Sequence, residues 1–325
     1  VGTTATYPLV VYVYSGIMNL FVPSAGSKWM IEAPFSSEAW GLGFSAGALG
    51  QEDGQEFALY AHVLGDNEQV ADQLRTVRID PATGDLTEVR EYPRGVSASR
   101  GVRSVVPALD GEGFYVLDQF GTHDFILNRV TSTLMEWTME LDSLPNAGSD
   151  GFVQDTDLMA VAEGGVLLAA VSLGYQGDNA NVRTVVQRYG EMDASPEVVW
   201  NSGLIEEGAS RVLLGEEFLV SRLGGDIDVR TQAGAELDQL LAPNGESLTP
   251  LSVSHERVLW LGFRWSGDLL PRAGILVPGG GAEQVWQTEL CGELYPTAGL
   301  FIDEERVLVV TGERSVDARG TVPNR

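Results

Sequence analysis

The chain is 325 residues long and 44 % apolar, and it carries 46 acidic against 20 basic residues, a formal net charge of −26. That charge excludes nucleic acid as a partner, since neutralising phosphates takes a basic surface and the arginines here are scattered; an anionic membrane would repel it too. No apolar run approaches the ~20 residues of a membrane-spanning helix, and Cys291, the sole cysteine, leaves no intrachain disulfide and no thiolate metal cluster.

The first segment, Val1 to Tyr7, is small, polar and Thr-rich, and reads as a tether behind a processed export signal; residues 8–325 read as one domain. Leu9 to Tyr14 is strand-like and precedes a pair of strands joined by a turn, Asn19 to Pro34. The pair recurs at blade-length intervals: Val77 to Pro93, Leu127 to Leu141, Val185 to Asn201, Asp228 to Pro243 and Gly274 to Leu290. Such a period predicts an all-β chain, a β-propeller, with each repeated pair as the outer strands of a blade.

Inner pairs lie just upstream. They are Arg103 to Ala108 with Gly113 to Leu117, Asp157 to Val161 with Gly165 to Val171, Ser210 to Leu214 with Glu217 to Val220, and Thr249 to Val253 with Arg257 to Gly262. Asp110-Gly111, Glu163-Gly164-Gly165, Gly215-Glu216 and His255-Glu256 supply the turn chemistry between them. Four-stranded antiparallel blades follow. Thr297 to Ile302 and Arg306 to Val310 form one more inner pair, so the count is seven blades, with the seventh assembled from both ends, and six as the alternative. Gly47 to Glu56, Gly65 to Gln73 and Gly174 to Asn181 read as surface loops, the places where propellers carry function.

The turn Ile79-Asp80-Pro81-Ala82-Thr83-Gly84-Asp85-Leu86 resembles that of lactonase-like and YVTN-type surface-layer propellers, and Met135-Glu136-Trp137 resembles the outer strands of quinoprotein-like repeats. The resemblance implies a propeller scaffold and reports a turn rather than a site. The Gly-His and Trp-Asp marks of WD40 blades are absent, as are the nucleophile elbow and the Walker A loop. Ser315 to Thr321 departs from a sialidase Asp-box in the placement of its glycine.

Candidate chemistry is sparse. His123 falls in a short loop with Asp118 and Asp124, where an imidazole beside carboxylates can serve as a general base or a ligand contact. His62 and His255 sit in or beside strands, and no two histidines have metal-ligand spacing. Asp155 and Asp157 enter an inner strand and are candidate ligands for a structural Ca²⁺, with Asp226-Ile227-Asp228 and Asp178 to Asn181 as further oxygen-rich clusters; none matches an EF-hand. Arg264 and Trp265 stand at a loop edge, a pairing that suits a sugar ring or a protein contact. Trp29, Trp137, Trp200 and Trp286 recur in outer strands as packing between blades, and Trp40 and Trp260 read as inner-strand core.

These features predict an exported or cell-surface module, extracellular or periplasmic, that binds a protein or glycan partner or assembles with copies of itself. A propeller hydrolase or lyase acting on a sugar or lactone is the alternative. Lys28 is the only lysine, a bias that a GC-rich genome or a salt-adapted acidic surface would each produce.

Overall fold

Antiparallel sheet accounts for every regular element among the described residues of the computed structural model. Those residues are 10–14, 17–22, 27–32, 46–52, 55–67, 70–80, 83, 85–93, 101–131, 134–176, 179–204, 209–243, 246–254, 256–263, 272–279, 284–289, 294–301 and 307–313.

Strands β1 (Val10–Tyr14), β2 (Ile17–Val22) and β3 (Ser27–Glu32) form a three-stranded sheet. Five four-stranded sheets follow in sequence order. The first holds β4 (Ala46–Glu52), β5 (Gln55–Asn67), β6 (Val70–Ile79) and β7 (Leu86–Pro93); the second holds β8 (Gly101–Pro107), β9 (Phe114–Gln119), β10 (Phe125–Val130) and β11 (Met135–Glu140). The third comprises β12 (Ser149–Ala160), β13 (Val166–Gln176), β14 (Asn179–Tyr189) and β15 (Glu197–Asn201), and the fourth β16 (Ala209–Leu214), β17 (Phe218–Leu223), β18 (Asp226–Thr231) and β19 (Glu236–Leu240). The fifth has β20 (Ser247–Ser254), β21 (Arg257–Phe263), β22 (Arg272–Leu276) and β23 (Gln284–Glu289), and β24 (Leu294–Phe301) pairs with β25 (Val307–Glu313). Each four-stranded sheet is a blade built from consecutive strands, as the inner and outer pairs predict for the last four; the inner pair of the first, β4 and β5, is not among those predicted.

Two compact units contain these sheets. One comprises Val1–Asn146, Gly151–Leu168 and Gln187–Val198, and the other Ala147–Asp150, Ala169–Val186 and Val199–Arg325. In the first, Phe57, Leu59 and Leu74 share a buried core with Val102, Val105, Phe114 and Val116, so β4–β7 packs face to face on β8–β11. In the second, Val220, Ile227 and Val229 pack on Leu248, Val258 and Trp260, joining β16–β19 to β20–β23. Trp260 is fully buried, as its inner-strand position predicts.

The described residues of the three segments read as surface loops lie in strands, and in two of them a close approach at glycine accounts for it. Gly47 to Glu56 is the β4–β5 hairpin, because its small residues lie beneath the neighbouring blade: a β-carbon on Gly50 would come within 2.6 Å of Phe114 Cζ. The described residues of Gly65 to Gln73 pair across β5 and β6 with two register shifts. In Gly174 to Asn181, β13 runs to Gln176 and β14 starts at Asn179; a β-carbon on Gly174 would meet the Gly148 nitrogen at 2.6 Å. Glycine marks close backbone approach in these strands, where its usual reading is a turn.

The Asp80 turn forms as its residues predict. Asp80 N–H donates to the Asp85 carbonyl at 2.9 Å, Thr83 N–H to Asp80 Oδ1, and Asp85 N–H to Thr83 Oγ1.

Candidate functional site

The penultimate residue of the third strand is arginine in four successive blades: Arg78, Arg129, Arg188 and Arg230. Arg129 is 3 % exposed. Its Nη2 donates to both Asp110 oxygens, at 2.7 and 2.9 Å, and to the Glu112 carbonyl, and its Nε donates to Glu136 at 3.2 Å. The guanidinium also lies 4.8 Å from the Tyr115 ring centre, and Trp137 sits 6.0 Å beyond that ring. Arg230 repeats the pattern with Asp228, Glu236 and the ring of Trp200, Arg188 pairs with Glu163, and Arg78 covers Phe57. These arginines are committed to binding turn carboxylates and aromatic faces, so they belong to the scaffold.

Arg103 is different. The pairing of β8 with β9 runs Val102↔Asp118 and then Ser104↔Leu117, leaving Arg103 as the extra residue of a β-bulge on the blade's first strand. Bulges re-aim side chains. Arg103 Nε donates to Gln119 Oε1 at 2.6 Å, and Nη2 donates to the Val153 carbonyl on β12, the first strand of the next blade, at 3.3 Å. Asp155 and Asp157 follow Val153 by two and four residues on that strand. The bulge thus holds a planar cation, by two fixed acceptors, against the strand that carries both candidate carboxylates.

The loop between β9 and β10 closes the same network. Gln119 Nε2 donates to the Thr122 carbonyl at 3.1 Å, and Val153 N–H donates to that carbonyl at 2.9 Å. His123 follows, with its own carbonyl accepting from Leu144 N–H, and Ser143 Oγ donates to Asp124 Oδ1 at 2.6 Å. The His123 ring is 8 % exposed, and neither nitrogen has a hydrogen-bond partner among the described residues. The structure therefore does not join His123 to Asp124 as a dyad; one side chain points into the blade and the other fixes the loop. Asp118, on the adjacent strand position, is 1 % exposed.

Asp155 and Asp157 are both half-buried, and Asp157 Oδ1 accepts the Leu158 N–H at 3.0 Å. Among the described residues no cluster of three or more acidic, histidine or cysteine side chains has the geometry to hold a metal. Asp226 accepts from Ala242 N–H, and Asp228 is paired with Arg230, which accounts for that cluster structurally. Trp200 packs beneath the β18–β19 turn, where a β-carbon on Gly234 would come within 1.9 Å of its indole nitrogen. Arg264, Trp265, His255, Asp178, Trp40 and Cys291 lie outside the described residues, as do the side chains of His62, Trp29 and Trp286.

Sequence reasoning missed Arg103 and Gln119. Neither carries a motif, and the bulge that aims Arg103 is a property of strand pairing.

No family model matches the chain, and no curated protein does. Solved structures do. The periplasmic gluconolactonase of Pseudomonas aeruginosa is similar over 99 % of this chain and 95 % of its own, at 17 % identity and a TM-score of 0.60. A protein from Bacteroides uniformis described as a candidate 6-phosphogluconolactonase is similar over 95 % of this chain and 90 % of its own, at 12 % identity and a TM-score of 0.50. The likeness, with the four-stranded antiparallel blades, shows a β-propeller fold.

Proposed function

We propose that this protein hydrolyses the ester bond of a sugar lactone at the junction of β8 and β12. The observation that carries the reading is Arg103, a bulge-aimed guanidinium fixed against the strand of Asp155 and Asp157. The two lactonase-like neighbours support it over the alternative of a pure binding module.

Lactone hydrolysis needs a base for the attacking water and a cation for the carbonyl oxygen. In this reading one carboxylate of Asp155 or Asp157 takes a proton from water as its oxygen bonds to the carbonyl carbon. Negative charge then forms on the carbonyl oxygen, and the Arg103 guanidinium stabilises it without reorganising, because Gln119 and the Val153 carbonyl already orient it. The ring C–O bond breaks, the carboxylate returns its proton to the departing ring oxygen, and a hydroxy acid leaves. His123 is buried and keeps the loop packed, which leaves the proton transfer to the carboxylates.

The experiment is steady-state hydrolysis of D-glucono-1,5-lactone by wild type and Arg103→Gln. Removing one oxyanion donor costs about 10²–10³ in kcat; an equal kcat in the variant overturns the role given to Arg103. An exported setting belongs to the proposal, supported by the periplasmic location named for the Pseudomonas neighbour, and cell fractionation tests it.

One observation favours a second reading, a docking face. Leu109, Leu134 and Met192 are 58, 49 and 73 % exposed in the first-to-second and third-to-fourth strand turns of their blades, the end away from His123. A protein partner or a second copy would cover such residues, and native mass by light scattering tests this.

A further inference from the structure

Arg211 on β16 and Arg222 on β17 are backbone partners, directly opposite each other in the sheet. Side chains in facing positions leave the sheet on the same side. Val220 and Phe218 follow Arg222 on that side at two-residue steps and belong to the core shared with Leu248, Val258 and Trp260, so the arginines stand at the rim of a blade-to-blade interface within one unit.

Two like charges in this position repel. In a chain with 46 acidic residues a carboxylate would be expected between them, yet the carboxylates at hand are engaged elsewhere. Glu246 pairs with Arg272, Asp226 accepts the Ala242 N–H, and Asp228 pairs with Arg230 on the opposite side of the sheet. Among the described residues Arg211 has no hydrogen-bond or ion-pair partner, and Arg222 has one, donating from Nη2 to the neutral Ser247 Oγ at 2.6 Å. Burial lowers the proton affinity of Arg222, as it does for a cation without a counter-charge. Ser247 accepts from Arg222 and keeps its own O–H as a donor.

We propose that Arg211 and Arg222, with the Ser247 hydroxyl, form a binding site for a compact oxyanion, the carboxylate or phosphoryl group of a small ligand. Two guanidinium forks and a hydroxyl match the oxygens of such a group, and its charge removes the repulsion between the arginines. The site stands independently of lactone hydrolysis, since neither arginine belongs to the Arg103 network.

The test is thermal melting of the full chain titrated with inorganic phosphate and, separately, with D-gluconate, each against sodium chloride at matched ionic strength. The wild type is expected to show a saturable rise in Tm beyond the chloride control. Arg211→Gln and Arg222→Gln are each expected to weaken the titration midpoint about tenfold or more, and to leave the ligand-free Tm unchanged or raised, because a facing like charge is gone. Response to phosphate alone assigns a phosphoryl ligand, and response to gluconate alone a carboxylate. The proposal is overturned if neither anion exceeds chloride, if both variants keep the wild-type midpoint, or if both melt several degrees lower without ligand.

Discussion

Replacing Arg129 by methionine removes a buried cation and keeps an unbranched stem. Two effects compete. Burial at 3 % exposure penalises the charge, and apolar replacement of buried ions is sometimes stabilising. Opposing this are the bonds to both Asp110 oxygens, to Glu136 and to the Glu112 carbonyl, and the contact with the Tyr115 ring. Burial lowers the proton affinity of the guanidinium, while the Asp110 hydrogen bond and charge raise it, with the net shift upward, so the folded site holds the cation. Asp110 and Glu136 are 53 and 39 % exposed and rehydrate when the partner leaves, which limits the loss. We expect about 3 kcal/mol of destabilisation. At ~2.1 cal/mol/K of unfolding entropy per residue, a cooperative melt of this chain then falls by roughly 4–5 °C at pH 7.

The pH dependence checks the sign. Burial pushes the Asp110 carboxyl up, but the Arg129 hydrogen bond, the Glu112 N–H and the Arg129 charge together hold it below the ordinary carboxylate range. The stability linked to that shift is present above the unfolded value, about pH 4, and is lost as pH falls through the lower folded value. The difference in Tm between wild type and Arg129→Met should therefore shrink below about pH 4. A variant that melts at or above the wild-type temperature at pH 7, measured by calorimetry, refutes the reasoning.

Two further outcomes follow from the same geometry. Gly165 has φ +84°, and a β-carbon there would lie 2.1 Å from the Tyr189 carbonyl oxygen, whereas Gly203 has φ +72° and open space around it. Gly203→Ala should cost about 1–2 kcal/mol and Gly165→Ala visibly more, up to loss of soluble protein; equal melting temperatures would show that the β13–β14 backbone relaxes freely. Of Asp155→Asn and Asp157→Asn, the substitution at the general base should abolish the acid limb of the kcat profile, with kcat falling about 10²-fold or more. If both variants keep wild-type kcat, the base lies elsewhere.

The blade architecture was legible because turn residues recur at a fixed interval. Asp110-Gly111 and, at the other turn, Asp80, Thr83 and Asp85 make the hydrogen bonds their chemistry requires, and the strand pairs between them follow. The Gly-rich strands were not legible. Gly50 and Gly174 are small because a neighbouring ring or backbone passes within contact distance, a long-range fact that looks locally like a loop. Of the residues in the proposed site, Asp155 and Asp157 stand out in the sequence as acids entering an inner strand, read there as calcium ligands, while Arg103 acquires its place only through the register shift between β8 and β9. His123 looked like a base by its neighbours in sequence, but its ring is buried with neither nitrogen hydrogen-bonded among the described residues, while the Asp124 carboxylate accepts from Ser143. The recurring arginine at the penultimate position of the third strand was present in the sequence and needs the blade alignment to be seen.

The central claim is lactone hydrolysis, and the direct measurement is acid release in a pH-stat from D-glucono-1,5-lactone and a panel of larger and phosphorylated sugar lactones, with the uncatalysed rate subtracted. The account predicts turnover above the uncatalysed rate on at least one lactone, saturable in substrate. Rates equal to buffer across the whole panel would contradict it and return the protein to the reading as a binding module.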